Sequence, residues 1–209
     1  MSGGALCDVR RYYTESLRAH GASPRGVDWN SAESQRLRFE QVTRVCGPVG
    51  DMSLNDIGCG YGALYDWLAA GGWHCDYLGV DISEAMVASA RDLHAGREAC
   101  RFIVGEQPDR VAEYTVASGL FNVKLSADDA GWRAYVLGCL AAMDASSRRS
   151  FAFNCLTKYS DASRMQGHLY YADPCELFDH CKRRFSRNVA LLHDYGLYEF
   201  TILVRKDAP

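Results

Sequence analysis

A glycine-rich turn between a strand-like and a helix-like segment is the feature that most constrains how this sequence can fold. Residues 52–57 are predicted to form a strand, and residues 63–70 carry apolar side chains at helical spacing. Gly58, Gly60 and Gly62 lie between them, and glycine allows a sharp turn and a close approach of the backbone to a ligand. The sequence therefore predicts a strand–turn–helix unit whose turn can contact a bound molecule.

The alternation of strand and helix continues to the end of the chain. The pattern predicts further strands at 77–82, 101–104, 116–123, 150–156, 189–192 and 198–204, and further helices at 84–94, around 132–143 and from 174. Too few residues join the last two strands for a helical crossover, so these strands are predicted to be antiparallel. We therefore expect an α/β fold: a doubly wound, Rossmann-like, seven-stranded and mostly parallel sheet with an antiparallel C-terminal strand pair.

Helical patterns precede the first strand. Residues 8–19 place apolar side chains near one helical face. Asn30 is predicted to cap a second helix, with Glu33 three residues later in a capping-box arrangement. We expect residues 1–50 to form an N-terminal helical cap on a core of residues 51–209, within one domain.

The composition argues against several classes of protein. Hydrophobic residues make up 48% and charged residues 23% of the 209 residues, as in ordinary soluble domains. The net charge is −3 and the basic residues are scattered, which argues against binding to nucleic acid or to anionic membranes. No apolar stretch approaches the roughly 18 residues of a membrane span. The nine cysteines have irregular spacing without a zinc pattern, so we expect reduced thiols in a cytoplasmic protein and no metal site.

The charge at the turn separates two candidate ligands. Gly58, Gly60 and Ala63 also satisfy a dinucleotide-binding fingerprint, so an NAD-type cofactor is one possibility. Asp56, two residues before the first glycine, would place a carboxylate close to a pyrophosphate. S-adenosylmethionine instead carries an ammonium and a sulfonium, so Asp56 favours that cofactor. Asp81, at the tip of the second strand, can accept both hydroxyls of a ribose in either cofactor.

Three segments carry a family resemblance. Residues 56–62 read Asp-Ile-Gly-Cys-Gly-Tyr-Gly, residues 79–83 read Gly-Val-Asp-Ile-Ser, and the fourth strand runs into Ala-Ser-Gly-Leu-Phe-Asn at 117–122. This sequence resembles the class I S-adenosylmethionine-dependent methyltransferases from residue 52 to residue 206, and its flanking segments are similar to a group of small bacterial members. The resemblance implies S-adenosylmethionine as the cofactor and a Rossmann-like sheet with an antiparallel final pair.

The resemblance also implies roles for individual residues. Gly58 and Gly60 would shape the turn around the methionine part, with Asp56 beside its ammonium and Asp81 on the ribose. The residues expected to line the rest of the cofactor site are Ile82 against the adenine, Ser118 at the end of the fourth strand, and Glu106 after the third. For Glu106, a contact with the adenine amino group and a solvated surface position both stay open. Some members of this family carry an Asn/Asp-Pro-Pro-Tyr signature for base or amide methylation, whereas residues 118–122 read Ser-Gly-Leu-Phe-Asn. The resemblance therefore disfavours nucleic-acid amines and protein amides as acceptors.

Ligands of such sheets lie beyond the carboxyl ends of the strands, which selects the acceptor candidates. These are Asn122, Tyr171 and Tyr195, with Tyr13 and Trp29 contributed by the N-terminal cap. His193 follows the sixth strand and is the candidate general base, against a structural role as the alternative. Arg38 can reach the cofactor carboxylate bidentately, or it is a solvated helix position beside Glu40.

The sequence therefore predicts an enzyme that transfers a methyl group from S-adenosylmethionine to an oxygen or nitrogen of a small-molecule acceptor, such as a secondary metabolite or a sugar derivative. One alternative is an NAD(P)-dependent oxidoreductase built on the same turn. Another is a non-catalytic subunit that binds S-adenosylmethionine. The oligomeric state is left open.

Overall fold

Seven strands form one sheet in the computed structural model, which describes residues 3–29 and 31–206. The strands are β1 (Asp51–Ile57), β2 (His74–Asp81), β3 (Cys100–Val104), β4 (Ala112–Ala117), β5 (Ser147–Leu156), β6 (Asn188–Leu192) and β7 (Glu199–Arg205). Their order is β3-β2-β1-β4-β5-β7-β6. The pairs from β3 to β5 are parallel, and β7 is antiparallel to both β5 and β6. The predicted mostly parallel sheet with an antiparallel C-terminal pair is confirmed.

Helices cover both faces of this sheet. They are α1 (Gly3–His20), α2 (Ala32–Thr43), α3 (Ala63–Ala70), α4 (Glu84–Leu93), α5 (Asp129–Ala145) and α6 (Pro174–Arg184). The buried side chains of α5 and α6 pack in one apolar cluster, and those of α2, α3 and α4 pack in a second cluster on the other face. Alternation along β5 sends Phe151 and Phe153 into the first cluster and Ala152 into the second. The doubly wound arrangement therefore follows from strands that are apolar on both faces.

Two local predictions need correction. β4 spans Ala112–Ala117 instead of 116–123, because the chain turns at Gly119, whose φ is 78°. The apolar residues after this turn are buried under α5, where Trp132 donates its indole N–H to the Phe121 carbonyl at 2.8 Å. The predicted cap Asn30 lies outside the described residues, and Ser31 caps α2 through a 3.1 Å hydrogen bond from the Ser34 N–H.

The N-terminal helix lies beside the carboxyl ends of the strands. Thr14 of α1 shares a 2.9 Å hydrogen bond with Ser83, the residue that caps α4. A 3₁₀ turn at Pro24–Val27 follows α1 and also packs against it. Among the described residues, no helix has the length and apolarity needed to cross a bilayer.

Candidate active site

A cleft opens at the carboxyl ends of β1, β2 and β4, beneath α1 and the 3₁₀ turn. It encloses about 940 Å³ of space, counting the open solvent at its mouth. The cleft brings together nine residues that the sequence singled out: Tyr13, Trp29, Asp56, Gly58, Gly60, Asp81, Ile82, Glu106 and Ser118. Residues from six separate stretches of the chain therefore line one cleft.

The glycine turn is held against β2. The N–H groups of Gly58 and Cys59 donate to the Val80 carbonyl at 2.8 and 3.1 Å. Gly58 and Gly60 have φ values of 76° and 54°, which side chains rarely adopt. A Cβ on Gly60 would lie 2.9 Å from a methyl carbon of Val27 in the 3₁₀ turn. The turn therefore needs glycine both for its backbone conformation and for the close approach of the N-terminal segment.

Asp81 lies at the end of β2 and contacts the glycine turn directly. One carboxylate oxygen accepts the Gly60 N–H at 3.0 Å and the other accepts the Ser83 N–H at 2.8 Å. Burial raises the pKa of the Asp81 carboxyl above its usual value, and these two N–H donors offset part of the rise. A carboxylate offers about four lone-pair positions, so Asp81 retains capacity for further donors such as sugar hydroxyls.

Asp56 is buried at the end of β1. The Tyr77 hydroxyl donates to its Oδ2 at 2.6 Å. Desolvation raises the pKa of Asp56 to about 7, against the lowering effect of the Tyr77 hydrogen bond and with a smaller rise from the nearby Asp81 charge. Near neutral pH the carboxyl is therefore divided between its two protonation states. A cation in the cleft would favour the ionised form.

Aromatic side chains from the N-terminal segment close one wall of the cleft. Tyr13 lines the cleft from α1, and its neighbour Tyr12 donates a 3.0 Å hydrogen bond to Asp28. Burial raises the pKa of the Tyr13 hydroxyl far above its usual value. The Trp29 ring lies against Gly119, where an added Cβ would be only 2.3 Å from two ring carbons. This wall is therefore apolar and closely packed.

Arg38 does not line this cleft, which corrects its predicted contact with a cofactor carboxylate. Its Nε and Nη2 donate to the two carboxylate oxygens of Glu199, both at 2.8 Å, and Nη1 donates to the Ser34 carbonyl at 2.8 Å. The residue is only 7% exposed, so the alternative of a solvated helix position is also wrong. The physical reason is that the buried Glu199 carboxylate at the start of β7 already accepts from two N–H groups of the guanidinium.

Three predicted acceptor residues are likewise held away from the cleft. Asn122 donates to Glu199 at 3.1 Å and accepts the Leu156 N–H at 3.0 Å. The Tyr195 hydroxyl shares a 3.0 Å hydrogen bond with Thr201. Tyr171 accepts the Gln166 N–H at 3.0 Å within the segment after β5. Each of the three makes contacts of its own within the fold instead of lining the cleft.

His193 lies apart from the cleft as well. It is exposed, and its ring packs beside those of Tyr159 and Phe200, with ring centroids 6.1 and 6.0 Å away. It follows β6, which is the outer edge of the sheet beyond β7, whereas the cleft lies at β1, β2 and β4. The position of β6 in the sheet therefore removes His193 from the candidate general bases.

Several residues that line the cleft were not predicted as site residues. They are apolar, aromatic or amide side chains: Val9, Val27, Gln35, Phe39, Leu120, Trp132 and Tyr135. Trp132 and Tyr135 belong to α5, and their spacing in the sequence is that of an inward-facing helical side. Helical spacing marks a side chain as inward-facing and contains no signal to separate the core from a ligand wall.

Comparisons with known proteins agree with this geometry. Residues 55–132 match a family model described as a methyltransferase domain. A protein of Mycobacterium tuberculosis with a provisional methyltransferase name, Rv1506c, is 56% identical over 163 residues, which cover 78% of this chain and 98% of the relative.

Solved structures show the same fold at low identity. Magnesium protoporphyrin IX methyltransferase (ChlM) of Synechocystis PCC 6803 with bound S-adenosylhomocysteine has a TM-score of 0.67 at 14% identity, covering 97% of this chain and 100% of that one. The DhpI complex with S-adenosylhomocysteine has a TM-score of 0.66 at 14% identity and covers both chains fully. The chain belongs to the class I S-adenosylmethionine-dependent methyltransferases.

Proposed function

We propose that this chain transfers a methyl group from S-adenosylmethionine, bound in the cleft, to an oxygen or nitrogen atom of a small molecule. The observation that carries the proposal is the charge of the cleft. Three acids, Asp56, Asp81 and Glu106, line it, and within 3–29 and 31–206 no lysine, arginine or histidine does. Such a cleft suits a ligand with an ammonium and a sulfonium and disfavours a pyrophosphate.

The cleft residues divide into parts that match the parts of this cofactor. Asp56 would face the ammonium, Asp81 would accept the ribose hydroxyls, and Ile82 and Glu106 would contact the adenine. The Ser118 hydroxyl at the end of β4 is buried and has no hydrogen-bond partner among the described residues, so it is free to bind a polar atom of the ligand. When bound, the cofactor supplies an electrophilic methyl carbon; the protein supplies position and exclusion of water.

A small apolar or aromatic acceptor fits the rest of the cleft. Tyr13, Trp29 and Leu120 form walls without formal charge. Transfer by in-line displacement gains much of its rate from alignment of the two reactants, so the distance of His193 does not argue against catalysis. ChlM, which shares the fold, is named for a porphyrin acceptor, and that example supports a small molecule here. The nine free thiols suit a cytoplasmic location, which is part of the proposal.

Thermal unfolding with candidate cofactors tests the proposal. A ligand that binds only the native state at 100 times its Kd adds about 2.7 kcal/mol of stability. We expect S-adenosylmethionine and S-adenosylhomocysteine to raise the Tm and NAD and NADP to leave it unchanged. A rise with the dinucleotides alone would support the oxidoreductase alternative instead. Methyl transfer by the purified chain to any acceptor in a screen would exclude the non-catalytic subunit.

The affinity for S-adenosylhomocysteine should rise with pH through the titration of Asp56. In the chain without ligand the pKa of Asp56 is about 7, so its carboxyl is mostly protonated at pH 6. The carboxyl must then lose a proton to pair with the ammonium of the ligand. We expect affinity to increase about tenfold per pH unit below that pKa and to level off above it. Calorimetry between pH 5.5 and 7.5 measures the slope. Asp56→Asn should bind more weakly with a flat profile; equal slopes in the two proteins would refute the assignment.

A further inference from the structure

A chain of four residues crosses from the start of β7 to the wall of the cleft. Glu199 pairs with Arg38, the Arg38 guanidinium stacks on the Trp29 ring at 4.0 Å from its centroid, and Trp29 rests on Gly119. Only Trp29 and Gly119 line the cleft. Glu199 and Arg38 can therefore affect a ligand in the cleft only through the Trp29 ring.

Glu199 is built into the sheet. Its backbone pairs with Leu156 of β5, and its carboxylate is 1% exposed. Both oxygens are occupied, one by Arg38 and Asn122 and the other by Arg38 alone. Bidentate pairing fixes both the position and the plane of the guanidinium. Glu199 therefore sets the orientation of Arg38 relative to the rigid sheet.

Trp29 needs such support because its own segment is a loop. It follows Asp28, which ends the 3₁₀ turn with a φ of 63°. The planar guanidinium of Arg38 covers the Trp29 ring. The ammonium group of a lysine has no flat face and could not stack on the ring in this way. From the other side, Asn154 accepts the Gly119 N–H at 2.6 Å and holds the glycine on which the ring rests. The ring is thus fixed between two anchored partners.

We propose that Glu199 is a positioning residue for methyl transfer: through Arg38 it holds the Trp29 indole against Gly119 at the end of β4, as the wall on the acceptor side of the cleft. The role in methyl transfer rests on the proposed function. The contact between Trp29 and Gly119 does not, and it can be tested without an acceptor.

Fluorine NMR of the chain labelled with 5-fluorotryptophan measures this directly. The four tryptophans should give four resonances, and the one missing in Trp29→Phe belongs to Trp29. In Glu199→Gln we expect the Trp29 resonance to shift and broaden while the other three stay in place. Asp109→Asn is the matched control, because it breaks an exposed bidentate pair with Arg101 and should move none of the four. A Trp29 resonance unchanged in Glu199→Gln would overturn the proposal.

Arg38→Lys provides a second variant in case Glu199→Gln unfolds. Lysine keeps the charge opposite Glu199 but offers no planar face, so the Trp29 resonance alone should again move; an unmoved resonance overturns the proposal. Titration of the same samples with S-adenosylhomocysteine separates the two hypotheses. Wild-type chain that fails to bind it contradicts the proposed function, whereas intact binding with an unmoved Trp29 resonance contradicts only the positioning role.

Discussion

The Asp81→Ala chain should bind S-adenosylhomocysteine about 100-fold to 10,000-fold more weakly than the wild-type chain, because it loses a charged acceptor for two ribose hydroxyls, each worth about 1.5–3 kcal/mol. The substitution also leaves the Gly60 N–H without its 3.0 Å partner, so the glycine turn loses an anchor. Asp81→Asn separates these effects, since its single amide oxygen can accept one of the donors that the carboxylate served. We expect its affinity to fall between those of the other two proteins.

Calorimetry measures the affinity, and circular dichroism verifies that each variant is folded. Asp92→Ala is the matched control, because Asp92 is an exposed acid of α4, the helix that begins directly after Ser83. It should bind as the wild-type chain does. If Asp81→Ala retains wild-type affinity, Asp81 does not bind the ribose, and the proposed position of the ribose at the end of β2 is wrong.

Arg38→Met should lower the free energy of unfolding by about 3–5 kcal/mol, the typical loss when one partner of a buried ion pair is removed. Glu199 would stay in place at 1% exposure without its opposite charge, and only Asn122 would still donate to it. Methionine retains an apolar stem of similar length and a good helix propensity, so the loss is assigned to the charge and not to α2 itself.

The double variant Arg38→Met/Glu199→Gln should recover much of that loss, because it removes the uncompensated charge and keeps an oxygen for Asn122. Arg101→Met is the matched control: it breaks a bidentate pair whose side chains are about half exposed, and exposed pairs contribute at most about 1 kcal/mol. Urea unfolding of the four proteins gives the comparison. Similar losses for Arg38→Met and Arg101→Met would show that burial of the Glu199 pair carries no special stability.

Local signals predicted the glycine turn and the strand ends that line the cleft. The start of α6, away from the cleft, shows the same dependence on local sequence: Asp173 directly precedes Pro174 and accepts the N–H groups of Cys175 and Glu176 at 2.9 and 3.3 Å. The glycine turn and the acid at the end of β2 are likewise contiguous in sequence. Such features depend on neighbours a few residues away, which a single sequence displays.

The errors have two causes: an apolar residue can be buried outside a strand, and local patterns do not specify the order of the strands. The apolar residues after Gly119 were assigned to β4, whereas they pack beneath Trp132 outside the strand. His193 was placed at the site because it follows a strand. The order of strands in the sheet, which local patterns do not specify, puts that strand at the edge.

The sequence by itself determined the α/β class, the antiparallel final pair, the glycine turn and the acids Asp56 and Asp81, because each depends on spacing or on residues adjacent in the chain. Only the tertiary structure decided the partners of Arg38. Its partner Glu199 lies 161 residues away in the chain. In the sequence, nothing distinguishes Glu199 from any other acid at the start of a strand. A buried ion pair forms where two distant segments exclude water together, and that shared environment exists only after the chain has folded.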